Sequence, residues 1–377
     1  MKIPLSKPWI TEDDIKAVES VLRTPQLSLG PRLVEFEEML ANVSGRKYAV
    51  TVNSGTSALH LIIKSLGIKE GDEVITTPFS FIASSNCILF EKARPVFVDI
   101  REDIYNINYD LIEEKITEKT KAILAVDVFG QPADWDEITE IAKKHNLHLI
   151  EDSAESIGSE YKGKKAGSFG DAGVFAFYPN KQITTGEGGV VVTDNEEIAI
   201  LSKSMRNQGR GEGDTWLQHT RLGYNYRISD INCALGISQL KRLNTIIELR
   251  SKVAELYSEK LKDIDEVVVP FVSPAVTRMS WFVYVIHLSD RFTKENRDSV
   301  IEEMRRKGVE TRGYFSPIHL QPFYRKVFGY KEGDFPMTEF ISERTIALPF
   351  YTIMKEKEVD YVVNTLKEII HNVKKEK

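Results

Sequence analysis

With 377 residues, 42% of them hydrophobic and 28% charged, the chain has an ordinary globular composition and the length for more than one core. A formal net charge of −6 argues against nucleic acid as an obligate partner, because phosphate backbones require a basic face. The two cysteines, Cys87 and Cys233, lack metal-type spacing and predict reduced, buried thiols rather than a disulfide or a metal site.

The opening MKIPLSKPWITEDD has no apolar core of the kind a signal peptide needs. No stretch approaches the ~20 apolar residues that cross a bilayer, so a soluble, cytoplasmic protein is expected. Thr11 is placed to cap a helix running to about Arg23, with Glu12, Asp13 and Asp14 in its first turn. TPQLSLGP then reads as a loop, and a second amphipathic helix runs from there to about Val43. From Lys47 onward short apolar runs alternate with helical segments: YAVTV, DEVITT, RPVFVD, KAILAVDV, LHLIED, DAGVFAF and GGVVVTD. Their β-branched and aromatic content, without strict alternation, predicts an α/β fold whose mostly parallel strands are buried on both faces. One long helix is expected from about Leu240 to Leu261, with a smaller α+β unit after it. The predicted division is a large domain over 1–250 and a small C-terminal domain over 251–377. The N-terminal helix is a candidate to pack on the smaller one.

In open α/β sheets ligands bind beyond the carboxyl ends of the strands, which directs attention to the residues just past each run. FAFYPNKQITTGEGGVVVTD places Lys181 between two strand-like segments, beside glycines that permit close approach. Packing among aromatic side chains favours a neutral, nucleophilic amine; taken alone, a surface lysine in a hairpin fits equally well. Asp152 closes the LHLIED run, where a carboxylate can pair with a cationic heterocycle or simply cap a turn. Gly55, Thr56 and Ser57 come after a strand and open a helix, the arrangement of a phosphate cradle and also of an ordinary capped helix start. No GxxxxGK appears, which counts against an ATPase. Phe81 can stack on a planar ring or serve as core. Together these supply a phosphate cradle, an aromatic platform, an acid for a ring nitrogen and a lysine, the set that pyridoxal phosphate requires.

Over nearly its whole length the chain resembles the nucleotide-sugar aminotransferases of the DegT type, within the fold-type-I pyridoxal-phosphate enzymes. The likeness runs through LGPRLVEFEE, NSGTSALHL, GDEVITTPFSFIASSN, IEDSAESIGSEYKGKKAGSFGDAGVFAFYPNKQITTGEGG, GYNYRISDINCALGISQL and PIHLQPFY. It implies a mostly parallel seven-stranded sheet in the large domain, with pyridoxal 5′-phosphate held covalently on Lys181. It assigns Asp152 to the pyridine nitrogen, Phe81 to the ring face, Gly55, Thr56 and Ser57 to the phosphate, and Glu155 to the phenolic oxygen region. Asn225 would reach the phosphate of the other subunit's cofactor, which makes the expected unit a homodimer with shared sites. Arg227, Arg312 and His319 become candidates for the substrate diphosphate; for the last two a structural salt bridge or a core histidine is an equal alternative. Many relatives carry serine where this chain has Ala176, which removes one phosphate hydrogen bond. Glu155 is more like the perosamine-type and bacillosamine-type 4-aminotransferases than the 3-aminotransferases. The implied reaction moves an amino group, with glutamate as donor, to a 4-keto-6-deoxy nucleotide sugar for surface polysaccharide or amino-sugar biosynthesis. Two alternatives remain: a sugar dehydratase, whose relatives replace the lysine, usually with histidine, and a regulatory protein on the same scaffold.

Overall fold

A computed structural model describes residues 1–375 other than 212, 214 and 216. Helices α1 (Glu12–Leu22) and α2 (Pro31–Ser44) lead into β1 (Tyr48–Val52), α3 (Gly55–Ser65), β2 (Glu73–Thr76), α4 (Ala83–Phe90) and β3 (Arg94–Phe97). Next come β4 (Thr120–Val126), α5 (Trp135–Lys144), β5 (His148–Asp152), the two-residue strands β6 (Glu160–Tyr161) and β7 (Lys164–Lys165), β8 (Ala172–Ala176) and β9 (Gly189–Thr193). The main sheet has seven strands in the order β1-β9-β8-β5-β4-β2-β3, and β9 alone runs antiparallel to its neighbours.

Alternate residues of these strands feed different cores. Val50, Val52, Val174 and Val191 pack with Leu59, Leu61, Ile62 and Ile63 of α3 on one face. Ala49, Phe175, Val190 and Val192 pack with Phe36 and Leu40 of α2 on the other. A sheet covered on both faces needs no polar side, which is why the sequence shows continuous apolar runs. Each fully buried aliphatic side chain contributes roughly 1.5–3 kcal/mol to this packing.

Local chemistry sets the helix starts. The Asp14 carboxylate accepts from the Thr11 N–H at 2.8 Å and its hydroxyl at 3.1 Å, closing the start of α1. The start of α2 is capped from far away: Asp230 accepts from the N–H groups of Gly30 at 2.8 Å and Arg32 at 3.1 Å. Asp230 opens α7 (Asp230–Leu240), which comes after α6 (Glu196–Arg206). The long helix expected from Leu240 breaks at Lys241–Arg242, so that α8 spans Leu243–Leu261.

Beyond α8 lie β10 (Val267–Val268), β11 (Val276–Arg278), β12 (Tyr284–Leu288), α9 (Lys294–Arg306), α10 (Pro322–Phe328), α11 (Pro336–Ser342), β13 (Thr345–Leu348) and α12 (Glu356–Lys375). Strands β10, β12 and β13 form a second, antiparallel sheet, and its core joins Tyr257 of α8, Val300 and Met304 of α9, and Val362 and Leu366 of α12. Ile3 is buried in this core too, and its N–H bonds to the Gly308 carbonyl at 2.8 Å. The N-terminal element on this unit is thus an extended segment rather than the helix. α1 lies against α7 instead, tied by Gln239 and Arg242 to Asp14 at 2.9 and 2.6 Å.

One contact joins the chain's two chemically suggestive loops. A Cβ placed on Gly189, at the start of β9, would lie 2.5 Å from the Ser54 carbonyl carbon and 2.6 Å from the Gly55 nitrogen. The start of α3 therefore sits where a side chain would otherwise be. Gly189→Ala is expected to cost about 1–3 kcal/mol in denaturant-induced unfolding, the range of an overpacked core. An unchanged midpoint would show that this approach is not tight.

Candidate active site

The end of β5 carries two adjacent acids, and the two-residue period of a strand sends them to opposite faces. Glu151 accepts from the N–H groups of Gly167 at 2.6 Å and Phe169 at 2.8 Å and from the Ser153 hydroxyl at 2.6 Å. It is satisfied by the loop before β8 and lies beside Asp127, whose carboxyl burial pushes up to about 6. Asp152 faces the other way. Its Oδ2 accepts from the Ser84 hydroxyl at 2.7 Å, which is itself 2.8 Å from the Ser80 hydroxyl, and its Oδ1 accepts from the Ala154 N–H at 3.2 Å. Burial raises the Asp152 pKa, while Ser84, the Ala154 amide and the charge of Lys181 oppose the rise.

Lys181 lies on the loop between β8 and β9, largely buried. Its Nζ is 3.3 Å from Glu155 Oε1 and 3.9 Å from the centroid of the Phe282 ring. Glu155 is held by a second bond, from the Phe129 N–H to Oε2 at 2.9 Å, and its pKa is also raised, chiefly by burial and against the pull of Lys181. A carboxylate as well as an aromatic ring thus faces the amine. The next residue is anchored by its side chain: Gln182 Nε2 donates to the carbonyls of Glu155 at 2.6 Å and Ser280 at 2.8 Å. The backbone that carries Phe282 is held from α8, where buried Arg250 donates to the carbonyls of Trp281 at 2.7 Å and Phe282 at 2.6 Å. Nothing in the local sequence around Arg250 singles it out; its partners lie about thirty positions away.

The start of α3 faces the same crevice across Gly189, and a Cβ on Gly55 would come within 2.8 Å of the Ala176 side chain. Ser57 is already committed: its hydroxyl donates to Asn53 Oδ1 at 2.7 Å and its N–H to the Ser54 hydroxyl at 3.1 Å. An anion here would meet the first helical amides, those of Gly55 and Thr56, and the Thr56 hydroxyl. Phe81 lies between Ser80 and Ser84 in sequence and is 62% exposed. These features converge on one edge of the sheet.

The remaining candidates lie around that edge or away from it. Asn225 is exposed, and its carbonyl accepts from Asn53 Nδ2 at 3.4 Å. The Arg227 guanidinium is engaged by Asn207 Oδ1 at 3.0 Å and Gln208 Oε1 at 3.2 Å. Arg312 is exposed next to β13 and has no carboxylate partner among the described residues; its charge reaches Tyr314, which is itself close to Glu155 and Asn180. His319 does not fit the role of a solvent-facing phosphate ligand. It is 0% exposed, packed by Phe335 and Tyr330, with Nε2 3.0 Å from Glu339, and burial lowers its pKa. Its core placement results from the aromatic cluster around it, which draws on residues from 97 to 335.

Asp152 is a buried acid with two hydrogen-bond donors and a lysine's field but no direct ion-pair partner among the described residues. A protonated ring nitrogen complements it in charge, and the glycine-lined start of α3 fits a phosphate. The crevice therefore defines an α/β transferase built around a phosphorylated, cationic heterocycle. The chain belongs to the DegT/DnrJ/EryC1/StrS aminotransferase family, whose model matches residues 8–367, and it is an aminotransferase. It is 42% identical to the uncharacterised protein MJ1066 of Methanocaldococcus jannaschii, over 98% of this chain and 97% of the relative. It is 36% identical to the GDP-perosamine synthase of Escherichia coli O157:H7, over 97% and 98%. Helicobacter pylori PseC, an aminotransferase of pseudoaminic acid biosynthesis, superposes with a TM-score of 0.93 at 31% identity, over 99% of this chain and 100% of that one. Solved structural neighbours include pyridoxal- and pyridoxamine-phosphate forms, so dependence on this cofactor is a property of the family.

The Ser84 hydroxyl favours the ionised form of Asp152, so removing it raises the Asp152 pKa further. Ser84→Ala is expected to move the acid limb of cofactor binding to higher pH, read as the cofactor dissociation constant against pH. A limb that stays in place would detach Ser84 from the function of Asp152.

Proposed function

We propose that the protein transfers an amino group from glutamate to the keto carbon of a nucleotide-linked 4-keto-6-deoxy sugar, in the making of amino sugars for surface polysaccharide. The observation that carries this reading is Lys181 held between Glu155 and the field of Asp152 in one buried crevice. When bound, pyridoxal phosphate supplies a carbonyl that exchanges the amino group and a ring that delocalises the charge left on the substrate carbon. Asp152 keeps a proton on the ring nitrogen. Lys181 Nζ would take the proton from the donor's α-carbon and pass it to the cofactor's C4′ carbon in the first half, and carry a proton from C4′ to the sugar's keto carbon in the second, with Glu155 beside the amine. The amides of Gly55 and Thr56 and the Thr56 hydroxyl would hold the phosphate, with Ser57 supporting them through Asn53, and Phe81 would lie against the ring.

The sugar is supported by the relatives' names, a GDP-perosamine synthase and an aminotransferase of pseudoaminic acid biosynthesis. Glu155 favours amination at carbon 4. Arg227 and Arg312 are the cations that would suit the substrate diphosphate. The working unit is a homodimer in which Asn225 of the partner subunit completes the phosphate site. Large apolar side chains left exposed a few residues before Asn225, Leu217 at 64% and Leu222 at 72%, are consistent with cover by a second copy. The chain divides near residue 250 into a large cofactor-binding domain and a small one, and it works in the cytoplasm. Among the described residues, no helix is long and apolar enough to cross a membrane.

Glutamate alone, added to the cofactor-loaded protein, is expected to bleach the yellow absorbance of the bound cofactor and release 2-oxoglutarate. Lys181→Ala should slow that half-reaction by at least about 10³-fold, within the range of a lost general acid/base. Absorbance that no amino donor changes would end the transaminase reading. Keto-sugar nucleotides that fail to restore the absorbance would end the sugar assignment alone.

A further inference from the structure

We infer that His60 is a positioning residue for the partner subunit's cofactor site, acting through Tyr226 on the arm that carries Asn225. This rests on the shared-site homodimer proposed above.

His60 lies one helical turn after Thr56 on α3, on a helix whose first turn faces its own subunit's crevice. It is 4% exposed and uses both ring nitrogens: Nδ1 is 3.1 Å from the Tyr226 hydroxyl and Nε2 is 2.8 Å from Glu91 Oε1. Glu91 also accepts from Lys64 Nζ at 2.7 Å, and the Tyr224 hydroxyl lies 3.4 Å away. The rings of Tyr224 and Tyr226 stack at 4.8 Å with an 11° interplanar angle, and the His60 ring is 4.9 Å from that of Tyr224. Burial favours neutral imidazole, so with Nε2–H donating to Glu91, Nδ1 is left to accept from the tyrosine.

The arm itself is extended. The Tyr224 and Tyr226 amides bond to the carbonyls of Met205 at 2.6 Å and Arg206 at 3.0 Å, and Asn225 bridges Asn207 antiparallel. In an extended segment, residues two apart share a face and the one between them points the other way. Tyr224 and Tyr226 therefore face inward onto His60, and Asn225 is presented outward, where it is exposed. The Tyr226 carbonyl also accepts from the Asn53 N–H at 2.9 Å, which ties the arm to the loop that begins α3. The inward tyrosine pair sets the outward direction of Asn225, and His60 with Glu91 fixes that pair. A cluster that only added stability would need no connection to the one residue the arm offers to a neighbour.

The test is made on cofactor-loaded heterodimers assembled from differently tagged chains, with the cofactor dissociation constant as the readout. In the first pairing one chain carries Lys181→Ala and the other Tyr226→Phe. The lysine-bearing site then receives an intact arm, and wild-type affinity is expected. In the second pairing both substitutions are on one chain opposite a wild-type partner. The lysine-bearing site now receives the altered arm, and affinity should fall by about threefold to tenfold, as for one lost hydrogen bond. The reverse allocation, with weakening that tracks the lysine-bearing chain, overturns the proposal, as does equal affinity in the two pairings. His60→Gln in place of Tyr226→Phe should give the same allocation and serves if the tyrosine variant does not fold. The same pairings with Asn225→Ala test the dimer reading separately. If Asn225→Ala acts across the interface and Tyr226→Phe does not, only the role of His60 falls; if neither does, the shared site falls with it.

Discussion

The backbone at Ser54–Gly55 runs so close to the start of β9 that no side chain fits between them, and the active crevice exists because of that approach. On one side lie the first amides of α3, unpaired by the geometry of every helix start. On the other lies the loop that ends at Gly189 and carries Lys181. Had β9 begun with any larger residue, the phosphate cradle and the lysine would stand apart, and the end of β5 would face an open gap. The antiparallel course of β9 in an otherwise parallel sheet brings its first residue to the edge where the parallel strands end. The fold thus gathers its chemistry at one edge by a single reversal of strand direction.

Charge is the second constraint. Three buried carboxyls, Asp152, Glu155 and Glu151, lie within five positions of one another, and each has its pKa raised first by burial. The structure separates their tasks by direction. Glu151 is consumed by backbone amides of the loop before β8, Glu155 by an amide and a lysine, and Asp152 by a hydroxyl and one amide. Of the two acids at the crevice, Glu155 has a lysine beside it and Asp152 has no direct ion-pair partner among the described residues. Buried acids without a cation are costly, and a site that leaves one so placed is prepared for a positively charged guest.

Much of this is legible in the sequence. The apolar runs from Lys47 mark the strands because a doubly covered sheet leaves no polar face to blur the signal. Lys181, Asp152 and the Gly55 turn stand out because each comes after or separates such runs. The hidden features depend on distant partners. The cap on α2 comes from Asp230, two hundred residues away. Ser57 resembles a phosphate ligand in its spacing, yet its hydroxyl turns back to Asn53, a choice between two neighbours that spacing cannot rank. His319 lies in a stretch rich in aromatic residues, and those aromatics enclose it instead of leaving it at the crevice. Pattern alone pairs the N-terminal helix with the wrong unit because the extended residues before it carry almost no pattern of their own.

Those first residues have a consequence for how the chain is made. Ile3 and Leu5 lie against segments near residue 308, with the Leu5 N–H to Glu310 Oε2 bond at 3.1 Å spanning 305 positions. Residues 3–5 thus find their place only through partners about three hundred positions further along the chain. Until synthesis has passed Val309, Ile3 has no core to enter and must wait in water. The loop it finally closes contains the whole seven-stranded sheet. Closing so long a loop is entropically expensive when the intervening chain is loose and much cheaper once that sheet has folded. The first few residues therefore act as a latch, engaged only by a chain whose earlier parts are already in order.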